Sequence, residues 1–197
     1  MRRPSIEFNL SAGGCIFGAL TILVLPNKLL VAMLIAAFVH ECWHMAALHL
    51  CRIPVWEIHI GIGSVEIQCG TMSDLEEFLC ALAGPAGSLL CIMFLLRFPL
   101  FALCAIAQGV FNLLPVYPLD GGRMLCCIAH RITPKHYRTV CMCGTHLTAV
   151  GVISLCMMGY FKTRLNLFLI LPLFFLFKTK PFRKTPCKED EHWVQYS

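Results

Sequence analysis

Apolar residues run along this chain in long blocks separated by short polar breaks. Six blocks stand out. The first, Phe8–Leu25, closes at Pro26, Asn27 and Lys28, and the second, Leu29–Leu50, ends at Arg52-Ile53-Pro54. The third, Leu75–Leu96, contains Gly84-Pro85-Ala86-Gly87-Ser88. A fourth begins near Leu100 and runs into Asn112-Leu-Leu-Pro115-Val-Tyr-Pro118-Leu-Asp120-Gly121-Gly122-Arg123. Thr139–Tyr160 and Leu165–Phe177 are the fifth and sixth. A helix needs about 20 residues to cross the hydrocarbon of a bilayer. The blocks therefore predict an all-α polytopic membrane protein of about six transmembrane helices, the first and last short for the task. The Pro-Asn turn between the first two also fits a re-entrant hairpin.

Between the second and third blocks the period changes to two. In Val55-Trp-Glu57-Ile58-His59-Ile60-Gly61-Ile62-Gly63-Ser64-Val65-Glu66-Ile67-Gln68, apolar positions alternate with polar or glycine ones. That pattern predicts a short β-hairpin over about 55–68, with its turn near Gly61 to Ser64. An isolated hairpin is marginal in water, so it should pack on the membrane domain or dip into it. The domain plan is a single membrane-embedded unit over 1–178 and a polar cytosolic tail over 179–197.

Composition agrees with a membrane protein. Hydrophobic residues make up 58% of the 197, charged residues 14%, and mean hydropathy is +0.73. The formal charge of +5 does not imply nucleic acid, because the basic residues sit at block boundaries, where they anchor against the headgroups of a lipid bilayer. Thirteen cysteines fall mostly inside apolar runs, where cysteine behaves as a small hydrophobe rather than as part of a disulfide framework. The opening Met1-Arg2-Arg3-Pro4 lacks a signal-peptide cleavage pattern, so the first block reads as a retained span. With six spans and an internal N-terminus, 12 of the 16 basic residues fall on the cytosolic side. The positive-inside rule then puts both termini in the cytosol.

Chemistry concentrates in the second block, at His40-Glu41-Cys42-Trp43-His44. Histidines four apart share one helix face and can grip a single zinc ion, and the glutamate beside the first can act as general base toward a metal-activated water. Ionisable side chains are costly at membrane depth, which makes a chemical role the simplest reason for three of them within five residues. Helical rise puts His40 about 18 Å from the boundary residue Arg52. A zinc site also needs a third protein ligand and an open position. Asp120 is the candidate: a carboxylate ending an apolar block, among prolines and glycines that break the helix and let backbone line a cavity. Taken alone, Asp120-Gly121-Gly122-Arg123 reads better as an interfacial turn ending a span; paired with the His40/His44 helix, the ligand reading overtakes it. Asn112 is either an interhelical hydrogen-bonding residue or a substrate contact.

His40-Glu41-x-x-His44 together with Asn112-x-x-Pro115-x-x-Pro118-x-Asp120-Gly121-Gly122 resembles the site-2 proteases, intramembrane zinc metalloproteases. The wording around Asp120 and the small six-span core look closest to the bacterial branch of the stage IV sporulation protein FB. The resemblance covers roughly residues 10 to 178. It implies Zn2+ held by His40, His44 and Asp120, with Glu41 as the base and Asn112 contacting substrate or the developing oxyanion. Gly84-Pro85-x-x-Ser88 falls where many relatives carry Gly-Pro-x-x-Asn. The expected activity is hydrolysis of a peptide bond in or near the membrane segment of a membrane-associated protein, such as a tethered regulator. Membrane regulatory proteins are possible further partners, sporulation a possible setting, and a bacterial cell membrane the expected location. There is no space for the CBS or PDZ domains of relatives.

Substrate must be extended to be cut, and a hairpin edge can hold it as an added strand, which nominates Ile58 and Ile60 as substrate-binding positions. His49 is off the metal face, and His59, His130, His136, His146 and His192 lack partners at ligand spacing. Cys141-Met142-Cys143 lies within an apolar block and reads as packing. The rival function is a catalytically silent membrane metal-binding scaffold or a metal transporter. A transporter should carry more intramembrane carboxylates or histidines, and a silent scaffold should have lost Glu41 or a ligand.

Overall fold

The structure, a computed structural model, describes residues 7–61, 64–163 and 194–196. The chain divides into two compact units, residues 1–111 with 184–197, and residues 112–183. The expected sixth span, Leu165–Phe177, lies outside the described residues.

In the first unit, strand β1 (Glu7–Leu10) leads into helix α1 (Ala12–Val24), capped by the Ser11 hydroxyl, which accepts from the Gly14 amide at 2.9 Å. Helix α2 (Asn27–Leu50) follows after Pro26, whose fixed φ suits a helix entry. Its buried residues are Ala32, Ala36, His40, His44 and Leu48, a single stripe at four-residue spacing. The motif histidines thus continue the packing face of the helix. Val31, Leu34, Ile35 and Phe38 are exposed on the same helix, an exterior suited to lipid.

Helix α2 stops with a two-bond C-terminal cap. The Ile53 amide donates to the Leu48 carbonyl at 2.9 Å and the Arg52 amide to the His49 carbonyl at 3.0 Å. Arg52 takes the left-handed conformation, φ 58°, that such a cap requires and that glycine usually supplies. Leu48 and Ile53 then meet inside a core with Ile67, Cys69 and Cys80. That core ties the helix end to the hairpin.

The predicted hairpin is present as β2 (Val55–Gly61) and β3 (Ser64–Cys69). An all-α expectation misses what surrounds it, because the hairpin is the centre of a four-stranded mixed sheet in the order β1-β2-β3-β4. Strand β1 pairs parallel with β2, Phe8 facing Ile58 and Leu10 facing Ile60. Strand β4 (Val194–Tyr196), within the stretch expected to be a solvated tail, pairs antiparallel with β3 and sets Val194 opposite Cys69. Pairing with short outer strands answers the instability of a lone hairpin. It also leaves Ile58 and Ile60 on a strand paired on both sides rather than at a free edge.

Helix α3 (Asp74–Leu90) begins with a reciprocal cap. The Ser73 hydroxyl accepts from the Glu76 amide at 3.3 Å, and the Glu76 carboxylate accepts from the Ser73 amide at 2.8 Å. A 3-10 turn, Cys91–Phe94, extends α3, and α4 (Pro99–Asn112) completes the unit's helices. Ala36, Cys91 and Ala105 form a second core of small side chains that lets helices approach closely. Among the described residues two stretches, Asn27–Leu50 and Asp74–Phe94, are long and apolar enough to cross a membrane, and Pro99–Asn112 is a shorter apolar helix.

The second unit holds α5 (Asp120–Ile132) and α6 (Tyr137–Thr163), which pack on each other. Asp120 therefore opens a helix instead of closing a span. The segment before it is irregular, as the prolines predict. It is pinned by Val116 N–H to the Leu114 carbonyl at 2.7 Å, Leu119 N–H to the Val116 carbonyl at 2.8 Å, and Tyr117 N–H to the Thr145 hydroxyl at 3.1 Å.

Candidate metal centre

Helix α2 brings His40 and His44 onto one buried face, and their rings meet edge-on with centroids 4.8 Å apart and planes at 79°. The two Nε2 atoms lie 3.1 Å from each other. Each ring is held from behind by α3. His44 Nδ1 sits 2.8 Å from the Cys80 carbonyl, which can only accept, so Nδ1 carries a proton and Nε2 is the nitrogen turned toward His40. His40 Nδ1 sits 2.9 Å from the Ser88 hydroxyl, which is fully buried.

Pro85 lies inside α3 and has no N–H for the Ala81 carbonyl, the neighbour of the carbonyl that receives His44.

Glycine matters at two places here. A Cβ on Gly84 would lie 2.2 Å from His44 Nε2 and 2.7 Å from His40 Nε2, so the imidazole nitrogens converge over bare backbone. A Cβ on Gly87 would overlap the Trp43 ring at 2.0 Å. Gly84 and Ser88 belong to the Gly84-Pro85-x-x-Ser88 segment, to which the sequence assigned no role, and the Cys80 carbonyl was not picked out at all. The signal that could have found them is the spacing of Cys80, Gly84 and Ser88, every fourth residue on a buried helix face.

Asp120 is the first residue of α5 and is buried. A helix N-terminus favours negative charge, and the Arg123 guanidinium one turn later lies 4.0 Å from the carboxylate, also buried. The two following glycines have a packing role. A Cβ on Gly121 would lie 2.1 Å from the Leu113 carbonyl oxygen, and one on Gly122 would lie 2.4 Å from the Val116 carbonyl carbon. Only glycine lets the irregular segment fold back onto the start of α5.

Glu41 is half-buried on α2, and Asn112 is the half-buried last residue of α4. Cys42 is exposed, off the histidine face. Among the described residues, His40 and His44 of the first unit are buried together, and Asp120 of the second unit is buried as well. The histidine half fits a metal on its own evidence. Two nitrogens aimed at each other over a glycine form a cradle that a single methyl group would fill.

Residues 86–156 match the family described as Peptidase family M50. No curated protein matches the chain. Among solved structures, the fold is similar to that of the site-2 protease from Methanocaldococcus jannaschii, with a TM-score of 0.64 and 18% identity over 91% of each chain.

Proposed function

We propose that this chain is an intramembrane zinc metalloprotease that hydrolyses a peptide bond in or near the membrane segment of a membrane-associated protein. The observation that carries the reading is the His40–His44 pair, whose Nε2 atoms converge over Gly84 while α3 holds the far side of each ring. The match to a peptidase family and the site-2 protease fold support it.

In this reading His40, His44 and Asp120 hold the ion, each through one donor atom. When bound, zinc supplies a Lewis acid that polarises a carbonyl and brings the pKa of water toward about 7. Glu41 takes the proton of the attacking water and delivers it to the leaving amine. Asn112 donates to the substrate carbonyl as negative charge develops on it. The hairpin holds the substrate extended, and because β2 is paired on both sides, strand addition at Ile58 and Ile60 requires β1 to leave. The protein is multi-pass, with both termini cytosolic.

The test is metal analysis of the purified protein, joined to co-expression with tagged single-span proteins. Wild type should carry about one zinc and cleave a partner. Asp120→Asn should retain less zinc and lose cleavage. Full zinc occupancy and normal turnover in Asp120→Asn would remove Asp120 from the site. A wild-type protein that binds zinc and cuts none of a broad panel would favour the silent scaffold.

A further inference from the structure

In the second unit, residues 133–136 join α5 to α6, and the two helices pack back on each other. Their register is fixed by side chains. Beside the connection, the His130 and Tyr137 rings meet edge-on with centroids 5.0 Å apart. Cys126 stands four residues before His130 and Cys141 four after Tyr137, so both lie on the facing stripes one turn further along. Their thiols are hydrogen-bonded to each other. We propose that Cys126 and Cys141 form a thiol–disulfide exchange site, at which a low-molecular-weight disulfide such as oxidised glutathione staples α5 to α6. The site stands whether or not the chain is a protease.

A disulfide closes only where the two Cα atoms lie within about 7 Å, which packed helices reach only where small residues let them close in. Gly144, three residues after Cys141, provides that approach. A Cβ there would lie 2.6 Å from Leu125 Cδ2, and Leu125 is the neighbour of Cys126. The adjacent cysteines are poorly placed to compete. Cys127 is turned about 100° from Cys126 and Cys143 about 200° from Cys141 on helices of 3.6 residues per turn. Cys143 is exposed, and Cys127 is buried.

The two sulfurs differ in access, which sets the order of events. Cys141 is 2% exposed, whereas Cys126 is half-buried on the helix that leads to the exposed Arg131. An incoming disulfide RS–SR therefore meets Cys126 first. The Cys126 thiolate attacks one of its sulfurs, the RS–SR bond breaks, and a mixed disulfide forms as RS⁻ leaves. The Cys141 thiolate then attacks the Cys126 sulfur, and the second RS⁻ leaves as the protein disulfide forms. Both thiol protons pass to the two RS⁻. The protein has lost two electrons and the small disulfide has gained them.

Cytosolic thiols are kept reduced. On the cytosolic side, where the proposed topology puts this helix connection, the dithiol is the resting form and the staple forms under disulfide stress. Asp120 opens the stapled helix, so the bond ties down the element that presents it.

The experiment exposes full-length protein in nanodiscs to glutathione buffers of rising oxidised fraction. Free thiols are then alkylated and disulfides mapped by mass spectrometry of tryptic peptides. Cleavage after Arg123, Arg131, Arg138 and Lys162 makes the expected product residues 124–131 linked to residues 139–162. Fragment ions should assign the bond to Cys126 and Cys141, and dithiothreitol should reverse it. Cys127→Ser and Cys143→Ser should keep the link. Cys141→Ser should trap glutathione on Cys126, while Cys126→Ser should leave Cys141 free. Wild type that takes up glutathione at other cysteines without forming the Cys126–Cys141 link would overturn the proposal. So would a link that fragment ions place on Cys127 or Cys143. Both results are read on the wild-type protein, so a serine variant that folds poorly does not shield the proposal.

Discussion

At the residue scale, one methylene-sized space decides whether the centre can exist. His40 and His44 point their Nε2 atoms across the Cα of Gly84, so Gly84→Ala places a carbon where the nitrogens and any ion must be. Zinc content should fall to background in that variant, measured by elemental analysis of the purified protein, while Gly18→Ala, which meets nothing within 4 Å, should leave it unchanged. Glu41 separates chemistry from binding. Glu41→Gln removes the base and keeps every proposed ligand, so it should retain zinc and lose cleavage by at least 10²-fold, the lower end of what general-base catalysis contributes. Cleavage at the wild-type rate by Glu41→Gln would end the proposed mechanism.

At the scale of elements, helix α3 is the template. Its start is set by the reciprocal Ser73–Glu76 cap, and its buried face carries Cys80, Gly84 and Ser88 to the imidazoles. Ser73→Ala should destabilise the protein by about 1 kcal/mol, the usual worth of such a cap, read as a lower thermal midpoint. The sheet offers a second test. Strand β4 covers β3 across Ile67–Cys69, and removal of residues 194–197 should speed amide hydrogen exchange there relative to Ile58–Ile60, which stays sandwiched between β1 and β3. Equal protection in both proteins would mean that β4 does not protect the edge.

For the whole molecule, the proposed topology predicts opposite accessibility for chosen positions. In a background without native thiols, single cysteines at residues 3, 60 and 190 should react with an impermeant reagent from the cytosolic side, and one at residue 163 from the other. Labelling of 3 and 190 from opposite sides would require an odd number of spans.

Much of this was written in the order of residues. The hairpin was legible because period-two alternation from Val55 to Gln68 suits no helix, and the helices over Asn27–Leu50 and Asp74–Phe94 because hydropathy survives any packing arrangement. The His40-Glu41-x-x-His44 spacing fixed a shared helix face, since four residues make about one turn. Asp120-Gly121-Gly122 announced a break but not that it opens a 13-residue helix, because Asp-Gly-Gly fits a turn as readily as a helix start. Strands β1 and β4 are short and draw their stability from a neighbour distant in sequence, so local pattern could not reveal them. The same holds for the supports of the histidines. Local sequence set which side chains share a face, through helical periodicity, while the nitrogen each imidazole presents was decided by a carbonyl and a hydroxyl 36 and 48 residues away, which only the packing of α3 against α2 brings within hydrogen-bonding distance.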